Sequence, residues 1–210
     1  MNTNKFRLVG LLALLMLLAA CQPSVKPEAD DEPAIASILV LPVMLAEQPK
    51  ENDRSEKSRL LSEGAKLCNT LLGEYFSGQA GVRLLSEASG ENLTPEDSKS
   101  PTAMARAIGR QQGGDAVLTV TLTRFTERHG NEYDVAHPAS VAFELKLIAV
   151  ASGKTLWLAS YDKTQQSLAE NLLALGDAFR HHFTWITAEE LAREGFWGKL
   201  PACKYLAPKP

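Results

Sequence analysis

Between Ala116 and Phe125 the apolar residues Leu118, Val120 and Leu122 alternate with Thr119, Thr121 and Thr123. A period of two puts successive side chains on opposite faces of a strand, so this segment belongs to a sheet with one dry and one wet face. The same alternation returns in Val141, Phe143, Leu145 and Leu147, set against Ala142, Glu144, Lys146 and Ile148. Ser152-Gly153-Lys154 is a tight turn, and Thr155 to Tyr161 is the hairpin strand that leaves it. Three such strands in series form an antiparallel meander.

Upstream, strands and helices alternate. Ile35 to Leu45 is a β-rich apolar run, the mark of a strand covered on both faces, and Pro42 ends it or puts it at an edge. From Glu56 to Phe76 apolar residues recur every three or four positions as in a helix, with Gly78 as its stop. Val82 to Leu85 is a short strand. Ser100 caps and Pro101 opens a second helix reaching Gln112, and Gly113-Gly114-Asp115 breaks it before the strand at Ala116. After the meander, Leu168, Leu172, Leu175, Phe179, Phe183 and Ile186 predict a long helix over Ser167–Arg193, ended by Gly195 and Gly198. The order β-α-β-α-β-β-β-α implies an α/β fold: a mixed β-sheet sandwiched by helices, its first three strands parallel through right-handed crossovers.

The N-terminus has a different character. Lys5 and Arg7 precede an apolar run, Leu8–Leu18, too short for a membrane-spanning helix but suited to the core of a signal peptide. Leu18-Ala19-Ala20-Cys21 follows and resembles the lipobox of bacterial lipoproteins at all of its positions. The thiol accepts the diacylglyceryl group and small residues before it fit the peptidase cleft. Several acyl (palmitate-type) chains on one cysteine hold a membrane firmly, where one chain binds only marginally. By resemblance to enterobacterial lipoproteins, Gln22 in place of Asp implies the outer membrane. The expected division is a signal peptide (1–20), a lipidated Cys21 with a proline-rich tether (21–34), an α/β domain (35–198) and a C-terminal tail (199–210). If polyproline-like, the tether reaches about 35 Å.

Composition excludes some functions. The net charge is −3, and loss of Lys5 and Arg7 with the signal peptide brings it to −5, 20 basic against 25 acidic residues. Without a basic stripe, such a domain is not suited to nucleic acid, whose phosphates demand clustered Lys and Arg. Besides Cys21 there are two cysteines, Cys68 and Cys203. They read either as a disulfide closing a long loop, worth about 4 kcal/mol in the chain-entropy model, or as two separate thiols with Cys68 a small core residue.

No motif carries catalysis. Gly113-Gly114 lacks the Gly-Lys-Ser/Thr ending of a P-loop and precedes a strand. His181 and His182 are adjacent on the expected helix and point about 100° apart, so they cannot share a metal. His129 and His137 flank a charged loop and read as solvated. No Gly-x-Ser-x-Gly elbow offers a nucleophile, and Glu189-Glu190 reads as helix-surface charge. No cofactor, metal or catalytic residue is expected.

Three segments carry a family resemblance: Ile38-Leu39-Val40-Leu41-Pro42, Gly113-Gly114-Asp115-Ala116-Val117-Leu118 and Ser152-Gly153-Lys154-Thr155-Leu156-Trp157. Together with the element order they resemble the periplasmic fold of the curli-secretion (CsgG-like) lipoproteins. The penicillin-binding-protein activator lipoproteins and the N-terminal domain of the TolB translocation protein look similar. The likeness spans residues 35–195, and its motifs are structural. It implies a non-enzymatic accessory or assembly factor, lipid-anchored on the periplasmic face of the outer membrane. Such a factor would serve a secretion, polysaccharide-export or envelope-synthesis complex, with an envelope protein or copies of itself as partner. The alternative is a small-ligand or glycan-binding sensor with a crevice at the carboxyl ends of the parallel strands. One departure stands out: the loops 86–100 and 126–138 are polar, and neither supplies the membrane hairpin that the curli channel adds.

Overall fold

Pro42 decides how the first strand runs. The computed structural model describes residues 34–46, 56–86, 100–130, 135–165 and 186–206. In it the apolar run of 35–45 divides into β1 (Ile38–Val40) and β2 (Met44–Leu45). Helix α1 (Glu56–Tyr75), β3 (Val82–Leu84), α2 (Pro101–Gln112) and β4 (Ala116–Thr126) follow. β1 lies between β3 and β4, parallel to both, where every main-chain group is wanted for pairing. Proline donates no N–H, so the chain leaves this central place at Pro42, and β2 continues along β4 alone. Asn69 of α1 repairs the break by accepting the Val43 N–H through Oδ1 at 2.9 Å.

The rest of the sheet is antiparallel. β5 (His129–Gly130) and β6 (Val135–His137) pair as a small hairpin, and β7 (Ser140–Ala149) and β8 (Thr155–Thr164) complete the main sheet in the order β3-β1-β4-β7-β8. The α/β class and the element order expected from the sequence are therefore present, with β2 and the β5–β6 hairpin added. The hairpin lies in the loop read as charged and irregular. Its strands of two and three residues are far below the roughly 9–11 needed to cross a bilayer. Among the described residues no helix is long and apolar enough to cross a membrane.

The alternation in β4 works as the period demands. Leu118, Val120 and Leu122 are buried in the principal core, with Val141, Phe143, Leu145 and Leu147 of β7 beside them. Thr119, Thr121 and Thr123 occupy the other face. There α2 covers only one end, over a smaller core of Leu39, Leu41, Ala105, Ile108, Val117, Ile148 and Val150. The caps of α2 are those expected: Ser100 Oγ accepts from Ala103 N, Pro101 occupies the first turn, and Gly113 closes it at φ +67°.

The last helix differs from expectation. α3 spans Ala188–Lys199, so one helix from Ser167 to Arg193 does not form; residues 166–185, with His181 and His182, lie outside the described residues. Thr187 starts α3 with a capping box: its Oγ1 accepts from Glu190 N at 3.2 Å, and its N–H donates to Glu190 Oε2 at 2.7 Å. Glu127, beyond the end of β4, accepts from Ala188 N and sets a carboxylate at the positive end of the helix. Nor do Gly195 and Gly198 end it. They lie inside the helix, which gives way at Leu200–Ala202 to a 3₁₀ turn because Pro201 has no N–H for the carbonyl four residues back. The tail then joins the core, with Leu200, Cys203 and Leu206 wholly buried and Gln79 donating to Leu206 O at 2.7 Å.

The two glycines of α3 have opposite reasons for being there. A Cβ on Gly195 would stand 2.7 Å from Phe143 Cζ and 2.8 Å from Tyr161 Cγ, whereas one on Gly198 would meet nothing within 4 Å. Gly195→Ala is expected to lower stability by about 1–3 kcal/mol, because two stacked rings must shift. Gly198→Ala is expected to raise it by up to about 1 kcal/mol, through helix propensity alone. Denaturant midpoints of the two variants check the pair, and equal shifts would refute the close approach.

Candidate functional site

The parallel strands offer two ends. At the carboxyl end, where the sensor reading places its crevice, the structure has a cleft of about 190 Å³ lined by Val40, Leu41, Pro42, Asn69, Leu72, Leu84, Leu85 and Ser86. Ligand pockets are commonly about 300–1,000 Å³. Six of the eight lining residues are apolar, and none titrates in the physiological range. Asn69 already uses its Oδ1 on Val43 N. Among the described residues its lining holds no acid or base, and its polar side chains are the Asn69 amide and the Ser86 hydroxyl.

At the amino end the Gly113-Gly114-Asp115 motif has a use that its glycines did not suggest. Asp115 Oδ2 accepts from Ser37 N at 2.9 Å, Ala36 N at 3.0 Å and Ser37 Oγ at 3.2 Å. Ser37 O in turn accepts from Asp115 N at 3.0 Å. This exposed latch ties the start of β1 to the start of β4. The main-chain N–H groups of Ser37 and Ala36 hold the carboxyl below its usual range. Nothing local signals it, since the partners are 78 and 79 residues apart.

The expected site residues fall in different places. Cys21, with the whole of residues 1–33, lies outside the described residues. Cys68 and Cys203 are free thiols in the principal core, both wholly buried. Burial pushes the Cys68 thiol up to about 12. Burial, and then the neighbouring Cys203, raise the Tyr75 hydroxyl. His129 and His137 are register partners across the β5–β6 hairpin. Among the described residues no group of three or more His, Cys, Asp or Glu could hold a metal.

No protein-family model and no curated protein matches the chain. Solved structures do. The PelC dodecamer from Paraburkholderia phytofirmans is 15% identical with a TM-score of 0.41, covering 85% of this chain and 94% of that one. The LpoB C-terminal domain from Escherichia coli is 19% identical at TM-score 0.37, covering 64% and 87%. Lipoprotein GNA1162 from Neisseria meningitidis is 22% identical at TM-score 0.33, covering 70% and 94%. At TM-scores this low the likenesses decide nothing about the chemistry of the chain.

Two measurements check the local chemistry. A carboxyl whose folded pKa is depressed stabilises the fold above its unfolded value, about 3.9, and loses that contribution as pH falls through the folded value. Asp115→Asn is therefore expected to cost a few tenths to about 1 kcal/mol at pH 7, and its deficit against wild type should shrink below about pH 4. For the thiols, a full-length Cys21→Ala chain should react slowly with a thiol reagent when native and release two thiols when denatured without reductant. No thiol on denaturation would show the disulfide instead.

Proposed function

We propose that the chain is a lipoprotein held by acylated Cys21 on the periplasmic face of the bacterial outer membrane. Its α/β domain serves there as a non-enzymatic accessory or assembly factor for a secretion, polysaccharide-export or envelope-synthesis complex. The observation that carries this reading is the register of four N-terminal features: Lys5 and Arg7, the apolar run Leu8–Leu18, Ala19-Ala20, and Cys21. The proline-rich, acidic stretch after Cys21 supports a domain held away from the bilayer. Among the described residues the cleft at the carboxyl ends of the parallel strands is lined by aliphatic side chains, a proline, an amide and a hydroxyl, which supports a binding rather than a catalytic reading. The size and lining of that cleft count against the sensor reading.

Anchoring by Cys21 alone makes a sharp expectation. Wild-type chain should incorporate labelled palmitate and stay with membranes through a high-salt wash. Cys21→Ala should lose the label and pass to the soluble fraction. A Cys21→Ala chain that remains in the washed pellet would defeat the proposal.

A further inference from the structure

Among the described residues β8 pairs with β7 alone and forms the outer edge of the sheet. Its main-chain directions follow from two bonds. Gln165 N donates to Ala139 O at the foot of the β7–β8 pair, and Val150 N donates to Asp115 O beside β4. Antiparallel pairing alternates the direction of main-chain groups along a strand, so β7 turns its odd residues to β8 and its even residues to β4. In the observed register Trp157, Ala159, Tyr161 and Lys163 therefore bond to β7. Leu158, Ser160, Asp162 and Thr164 point their N–H and C=O groups away from the sheet.

Sheet edges are ordinarily blunted by proline, charge or a bulge. A bulge opposite Leu147/Ile148 disturbs β8 before Trp157. The charges at the other end are engaged within the chain: Asp162 with Arg124, and Lys163 with Glu194 at 2.9 Å. Between them lies a regular edge with Leu158 55% exposed.

We propose that this edge pairs antiparallel with the same edge of a second copy, on a two-fold axis through Tyr161 normal to the sheet. Such an axis keeps the core face of both sheets on one side, and this register uses all four outward residues. Leu158 lies opposite Thr164 of the second copy, and Ser160 opposite its Asp162. Each Ser160 hydroxyl thus meets a carboxylate, twice by symmetry, a polar match of donor to anion. Tyr161 faces its own counterpart at the position where cross-strand side chains approach most closely. That contact extends the stack in which Phe143 lies 4.4 Å from Phe196 and 5.2 Å from Tyr161. The proposal deepens the assembly reading by naming a second copy as the partner at this edge.

Sedimentation of the full-length chain in detergent, with variants at the exposed Ser160, tests it. Wild type should show a reversible dimer at about 100 µM, since an edge this size buries less than a standard interface. Ser160→Glu sets like charges opposite at two symmetric points and should weaken the dimer about three- to thirty-fold, while Ser160→Lys should tighten it several-fold. Ser160→Pro removes only an outward donor and should give a monomer with an unchanged circular dichroism spectrum. If that variant unfolds, the Glu and Lys pair still decides. A wild-type monomer at that concentration, or a dimer that responds alike to Glu and Lys, overturns the proposal. Every variant leaves Cys21 intact, so this result and membrane fractionation fail separately.

Discussion

The three described helices reach the sheet through glycine, and the packing of the domain depends on that close approach. A Cβ on Gly64 of α1 would stand 2.4 Å from Phe125 Cγ; on Gly109 of α2 it would stand 2.4 Å from Val150 Cγ2; on Gly195 of α3 it would stand 2.7 Å from Phe143 Cζ. Without side chains there, large residues of the sheet fill the space that a helix surface would take. The aromatic stack of Phe196, Phe143 and Tyr161 closes over Gly195, and Val117 and Val150 close over Gly109. Interiors packed to crystal density leave no slack for a methyl group at such points.

The sequence shows the period of an element better than its ends. The dry and wet faces of β4 and β7 were legible because alternation has one physical solution. So were the caps of α2, since Ser100, Pro101 and Gly113 each act locally. The start of α3 was missed: the capping box of Thr187 and Glu190 lies inside the apolar stripe that runs through Ile186, and the stripe was followed instead. Gly195 was read as a stop because glycine usually is one; its contact with Phe143 exists only once the sheet has formed. The Asp115–Ser37 latch and the cleft beside Pro42 are likewise products of tertiary structure.

Function divides the other way. Cys21 and the signals before it are legible in the sequence and lie outside the described residues, whereas the domain supplies a scaffold and edges. The amino end of the parallel strands is occupied by the Asp115 latch, and the carboxyl end holds a small aliphatic cleft. Among the described residues neither end brings a cluster of titratable side chains together. Among the described residues β8 has one strand partner, and its residues Leu158, Ser160, Asp162 and Thr164 are exposed. Surfaces of this kind recognise other surfaces, because hydrogen-bonding groups in a row select a strand rather than a small molecule.

The proposed anchor and the proposed edge pairing act on one quantity, the local concentration of copies. A single edge offers a few main-chain bonds and little apolar area, so in free solution it competes poorly with water for those bonds. Acylation of Cys21, as proposed, would confine the copies to a thin layer and so raise the frequency with which two edges meet. Under that confinement a weak, symmetric contact becomes populated without added area, and it stays reversible, since β8 has no greasy patch beyond Leu158. A closed two-fold pairing also uses up the edge, as head-to-tail addition would not. The chain can thus keep at its border a strand whose charges are engaged within the chain, without inviting open-ended growth.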